Sequence, residues 1–168
     1  ALMALGPPAY GTRIVAVFLM LLTVIGLIDD RWGLASSLRL LCYLAVGLLT
    51  PWLIFPESSL SGFVLIVMGG CVAWCINLFN FMDGADGLAT AQLLCVSVGL
   101  GLMAHFGLSD DPAWIEWCAW VAVCCLPLLW LNWPPAQLFM GDAGAIPLGF
   151  FLAVLGLLAF DQSMLLGW

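Results

Sequence analysis

The 168-residue sequence has no lysine, three arginines and one histidine, and charged residues make up only 8% of it. Soluble domains carry roughly 25% charged residues, so an ordinary water-soluble globule is excluded. Three arginines cannot form a surface that tracks a phosphate backbone, which excludes nucleic acid as a partner. The seven cysteines lie inside apolar runs, with neither C-x-x-C spacing nor a nearby histidine, and read as small hydrophobes. Also lacking are a fixed-period repeat, a low-complexity segment and a dividing linker, so residues 1–168 read as one integral-membrane domain. The chain opens on Ala1, and no segment has the ordered basic, apolar and small-residue parts of a signal peptide; it reads as a piece of a longer protein.

What is abundant is apolar: 65% of residues are hydrophobic, the mean hydropathy is +1.18, and there are 18 Gly and 9 Trp. Glycine lets membrane helices pack closely, and tryptophan anchors them at the interfaces. A membrane helix needs about 20 mostly apolar residues, and six runs come close: 10–28, 38–55, 60–76, 88–106, 114–131 and 146–160. Breakers at 33–37, 56–59, 84–87, 109–112 and 134–135 separate them. The expected fold is an all-α polytopic membrane bundle of about six transmembrane helices. Consecutive spans alternate direction, which places Asp29, Asp30, Asp83, Asp86 and Asp142 on one side of the bilayer. Glu57, Asp110, Asp111, Glu116 and Asp161 fall on the other, as does His105, which reads as an interfacial residue. Arg31 and Arg39 flank the first group and make its side cytoplasmic by the positive-inside rule, with Arg13 counting against.

Three clusters on that side could carry chemistry. Asp29 and Asp30 end an apolar helix, where carboxylates oppose the helix dipole; a solvated terminus is the plain reading, a role with a cation the alternative. Asn77, Asn80, Asp83 and Asp86 recur every three residues, giving a polar stripe if the helix continues through Asp83. Gly84 and Gly87 beside them allow a tight turn. A polar loop with an N-cap explains such a stretch less well, because four polar side chains next to lipid are costly unless used. In Phe139-Met-Gly-Asp142-Ala-Gly144, an Asp between glycines just before a helix offers a hard oxygen ligand, although alone it is also an ordinary turn with a cap. Five carboxylates and two asparagines on one face, with no lysine among them, call for a divalent cation carrying a phosphorylated ligand. The competing class, a transporter or channel, would scatter its acids near the midplane of several helices rather than at span ends.

The Asp29-Asp30 pair, the N-x-x-N-x-x-D-G-x-D-G pattern from Asn77 to Gly87 and the Phe139 to Gly144 motif resemble, in order and spacing, the polyprenyl-phosphate N-acetylhexosamine-1-phosphate transferases. That family includes phospho-MurNAc-pentapeptide translocase and the enzymes initiating O-antigen, enterobacterial common antigen and teichoic acid linkage-unit synthesis. The resemblance covers nearly the whole chain, corresponding to the third to eighth of the family's ten or so spans. It implies Mg²⁺, with Mn²⁺ an alternative, on Asp142, with Asn80 a second ligand in some members. It implies Asp29 and Asp30 near the metal and lipid phosphate, Gly84, Asp86 and Phe139 around the uracil ring, and Asp83 between nucleoside and diphosphate. Arg39, which follows the turn, is the better candidate than Arg31 for the family's phosphate-holding cation. Ala85 and Ala145 depart from the residues common at their positions, and the family's histidine-rich loop is not in this sequence. The pattern from Asn77 to Gly84 is more similar to the O-antigen-initiating subgroup than to the peptidoglycan translocase. The implied partners are a UDP-N-acetylhexosamine, a polyprenyl phosphate and the bilayer of the inner (plasma) membrane, with a homodimer allowed and the active site facing the cytoplasm.

Overall fold

A computed structural model describes residues 9–56, 60–108 and 113–161. Six α-helices carry the chain: α1 (Ala9–Trp32), α2 (Ser36–Ile54), α3 (Gly62–Asp83), α4 (Leu88–Met103), α5 (Ala113–Asn132) and α6 (Gly141–Asp161). A π-helical turn, Ala104–Leu108, extends α4. No strand occurs among the described residues. Helices are the expected outcome for apolar runs of this length, since backbone amides in hydrocarbon must be satisfied within their own segment. Five helices among the described residues, α2 to α6, are long and apolar enough to cross a membrane. The all-helical polytopic bundle read from the sequence is therefore the observed architecture.

Two of the boundaries that differ from the sequence reading bear on the site. Helix α3 does not stop near residue 76 but runs to Asp83, so Asn77, Asn80 and Asp83 share one helix. Helix α6 begins at Gly141 rather than near 146, which puts Asp142 in its first turn instead of in a turn ahead of it. Among the acids assigned to the far side, Glu57, Asp110 and Asp111 lie outside the described residues.

The described residues group into two compact units. One holds α1, α2, α3 as far as Phe81, and Met140 with α6 as far as Leu157. Its helices approach closely where side chains are small. A Cβ on Gly47 of α2 would come within 2.7 Å of the Gly69 carbonyl oxygen of α3, and one on Gly149 of α6 within 2.7 Å of the Phe79 Cβ of α3. Phe18 and Phe150 join α1 to α6 edge-on, ring centroids 6.0 Å apart. Tyr43, Val72, Ile76, Phe79 and Ile146 are almost fully buried there.

The other unit is Met82–Phe139 with the end of α6 from Leu158. Its α4 and α5 pack against each other, with Gly101 close to the Cys118 side chain. Within this unit the expected sidedness holds. Glu116 stands in the first turn of α5, at the opposite end from Asn132. His105 lies in the π turn, at the opposite end of α4 from Gly87.

Candidate functional site

In the first unit the site begins with the short connection from α1 to α2. Gly33 takes φ +68°, a left-handed conformation that glycine adopts without steric cost, and its N–H donates to the Asp29 carbonyl at 2.8 Å. The Leu34 N–H then donates to Asp29 Oδ1 at 2.6 Å. This tight reversal brings the first turns of α2 back over the end of α1. Arg39 Nη1 consequently donates to Asp29 Oδ2 at 2.7 Å and to Asp142 Oδ2 at 3.0 Å. Asp29 is the most enclosed of the three, its side chain 6% exposed against 30% for Arg39 and 23% for Asp142. Asp29 lies just beyond the apolar stretch of α1. Burial there works against its ionised form, yet the hydrogen bonds it accepts from the Leu34 N–H and Arg39 help hold its pKa below the usual carboxylate value.

Asp30 faces elsewhere. Its two carboxylate oxygens accept the backbone N–H groups of Asp142, at 2.9 Å, and Ala143, at 3.0 Å. Asp29, Asp30, Arg39 and Asp142 thus meet at one end of this unit, as sidedness requires. Asn80, half-buried on α3, donates to the Tyr43 hydroxyl at 3.4 Å. Arg31 instead lies over the Trp32 ring, 5.8 Å from its centroid, so Arg39 is the arginine of the cluster.

In the second unit Asp83, at the end of α3, is buried, while Gly84 and Asp86 are exposed. Asp86 accepts the N–H of Ala136 at 3.0 Å. Phe139 is 48% exposed. The organiser here is a residue that sequence reasoning missed. Asn132, fully buried at the end of α5, accepts from the Gly87 N–H (2.9 Å) and the Thr90 hydroxyl (3.2 Å), and donates to the Leu138 carbonyl (2.8 Å). One carboxamide therefore joins the start of α4 to the segment leading to Phe139. Gln137 and Leu138 N–H groups close the same segment onto the Leu131 carbonyl. A polar side chain closing an apolar run ahead of Trp133-Pro134-Pro135 was the available signal, since such a group beside lipid needs a partner. Tyr43, in the middle of an apolar helix, gave no such signal.

The family model described as glycosyl transferase family 4 matches residues 12–160. The chain belongs to that family. It is 30% identical over 170 residues to a phospho-N-acetylmuramoyl-pentapeptide-transferase of Gemmatimonas aurantiaca, covering 82% of this chain and 44% of that protein. Another protein of that name, from Synechococcus sp., is 33% identical over 177 residues, covering 92% of this chain and 50% of its own length. A probable undecaprenyl-phosphate N-acetylglucosaminyl 1-phosphate transferase of Bacillus subtilis is 28% identical over 173 residues, covering 92% and 46%. The chain spans about half the length of these relatives. Membership, with several apolar helices, fits a membrane protein of that family, and it leaves the transporter reading without support.

Proposed function

We propose that the full-length protein transfers an N-acetylhexosamine-1-phosphate from a UDP-sugar to a polyprenyl phosphate at the cytoplasmic face of the inner membrane, initiating O-antigen or another cell-envelope glycan. A phosphate oxygen of the lipid bonds to the β-phosphorus of the UDP-sugar, the bond from that phosphorus to UMP breaks, and UMP leaves. Such a reaction needs positioning and charge neutralisation more than covalent help from the protein. A phosphate monoester is largely dianionic near neutral pH, its second pKa being about 6, so the nucleophile does not require a strong base.

The observation that carries this reading is the cluster of Asp29, Arg39 and Asp142 at helix ends. Mg²⁺ is commonly held by one or two carboxylates together with substrate phosphates and water rather than by a cage of protein ligands. Among the described residues there is no group of three or more His, Cys, Asp or Glu side chains set to hold a metal, and the partly exposed carboxylate of Asp142 suits a site that substrate completes. Mg²⁺ or Mn²⁺, when bound by Asp142 with Asn80 as a second oxygen ligand, would neutralise the diphosphate. Arg39 would then be free to hold a phosphate as its contact with Asp142 is replaced. Asp83 would lie between nucleoside and diphosphate, with Gly84, Asp86 and Phe139 taking the uracil. The Asn77 to Gly84 pattern favours a GlcNAc-like amino sugar of the O-antigen type over a peptide-bearing one. Purified full-length protein given polyprenyl phosphate, Mg²⁺ and a panel of UDP-sugars should release UMP with at least one UDP-N-acetylhexosamine. No release with any of them would reject the reading.

A further inference from the structure

Adjacent carboxylates at Asp29 and Asp30 invite the reading of a matched pair acting together on a metal or a proton. The geometry divides them. Residues that follow one another on a helix point about 100° apart, since a turn takes 3.6 residues. Asp29 accordingly turns toward α2, where it binds Arg39 and the Leu34 N–H. Asp30 turns toward α6, where each oxygen accepts one backbone N–H of the first turn.

Three features show that α1 and α6 are fitted to each other at this point. The first is Gly26, four residues before Asp30 and so on the same face of α1. A Cβ there would overlap the backbone of Asp142 and come within 2.6 Å of the Ala143 Cα, so α1 touches the first turn of α6 backbone to backbone. The second is Gly141, with φ +65°, whose own Cβ would stand 2.9 Å from Asp30 Oδ2. Any side chain there would both strain the backbone and push the carboxylate off. The third is Pro147, inside α6, which has no N–H to give to the carbonyl four residues back at Ala143. The first turn of α6 therefore has one internal hydrogen bond fewer, and an external cap matters more to it. A carboxylate at a helix N-terminus also complements the helix dipole.

We infer that Asp30 is a positioning residue, a cap supplied by α1 to the N-terminus of α6, which fixes the backbone from which the Asp142 carboxylate projects. Asp142 is then held twice, its amide by Asp30 and its carboxylate by Arg39, and Arg39 returns to Asp29, the chain neighbour of Asp30. The closed loop sets the metal-binding carboxylate before any ligand arrives. The inference rests on the proposed function for the consequence to catalysis, but the cap itself does not depend on it.

The test compares Asp30→Asn and Asp30→Ala in the full-length protein. Asparagine keeps one acceptor oxygen and is itself a good N-cap, whereas alanine keeps none. Hydrogen exchange read over the start of α6 should speed up roughly 2- to 30-fold in Asp30→Ala, the range a lost cap corresponds to, and much less in Asp30→Asn. Turnover should fall about 10²-fold in Asp30→Ala, as for a reacting group displaced by an ångström, and no more than about tenfold in Asp30→Asn, which should keep the wild-type pH profile. If Asp30→Ala does not fold, Gly141→Ala serves in its place, because the added Cβ displaces the same carboxylate, and it should speed exchange in the same segment. Unchanged exchange in Asp30→Ala overturns the cap. So does an Asp30→Asn protein that keeps its protection yet is as inactive as Asp30→Ala, since Asp30 would then act through its charge on the reacting atoms. A wild-type protein that releases no UMP but shows the exchange pattern would remove the transferase reading and leave the cap standing.

Discussion

The two units hold their polar residues by different means. In one, Asp29, Arg39 and Asp142 form a partly exposed chain of charge-assisted hydrogen bonds, closed by Asp30 at a helix end. In the other, a neutral and fully buried carboxamide, Asn132, does the joining through backbone groups and a hydroxyl. Charged contacts are stronger individually but can be exchanged for other ions, while a buried neutral network has no competing partner and is rigid. An ion-paired cluster suits a place where phosphates and a cation come and go. A neutral hub suits a surface whose shape must stay fixed to read one base.

The sharpest break of that contrast is Asp142→Asn in the full-length enzyme. Asparagine preserves size and leaves the backbone bonds to Asp30 in place, so folding and insertion should be normal. The loss of charge should reduce turnover by about 10²- to 10³-fold, the range seen when one preorganised electrostatic contact to a transition state is removed. Mn²⁺ should restore part of it at most. Turnover near wild type at limiting Mg²⁺ would move the metal elsewhere, with Asp29 and Asp30 the next residues to examine.

How far each unit was legible follows from the same contrast. Apolar runs between breakers fixed the helices because lipid leaves the backbone no alternative, and sidedness alone brought Asp29, Asp30 and Asp142 to one end. The start of α6 was not legible. Gly141, Asp142 and Gly144 look locally like a turn, and what accepts the first N–H groups of the helix that starts there is a carboxylate from Asp30, far away in sequence. Arg39 was recognised as the useful arginine from its place after the turn, but its bridge from Asp29 to Asp142 depends on how α1, α2 and α6 pack. Asn132 was missed because its three partners, Gly87, Thr90 and Leu138, share no pattern with it. A buried hub is defined by tertiary neighbours, whereas clustered acids announce themselves.

The neutral hub should show its importance in stability before catalysis. Asn132→Ala leaves the Gly87 N–H, the Thr90 hydroxyl and the Leu138 carbonyl without this partner. An unsatisfied buried group costs about 1–3 kcal/mol, and water reaching some of the three would limit the total to roughly 2–3 kcal/mol. A lower unfolding temperature in detergent would record it. Asn132→Asp keeps an acceptor, but it buries a charge and sets a carboxylate oxygen against the Leu138 carbonyl, and should be at least as destabilising as Asn132→Ala. Equal stability of all three would mean that the segment leading to Phe139 is held by other contacts, and the contrast between the units would lose its second half.

The smallest structural effect is expected at Asp86, which makes it the cleanest probe of ligand recognition. Its carboxylate is exposed and accepts one N–H, from Ala136. Exposed substitutions away from special features usually change stability by no more than about 0.5 kcal/mol, so Asp86→Ala should unfold near the wild-type temperature. If Asp86 also accepts from the N3–H of uracil, a hydrogen bond to a charged group is lost on substitution, worth about 1.5–3 kcal/mol. That corresponds to at least about tenfold weaker UDP-sugar binding. Asp86→Asn, which retains an acceptor oxygen for Ala136 or for uracil, should lose less. Calorimetry on the full-length protein separates the two roles. Weaker nucleotide binding at unchanged stability supports recognition of the base, whereas unchanged affinity would leave Asp86 as a tether of the segment at Ala136 and nothing more.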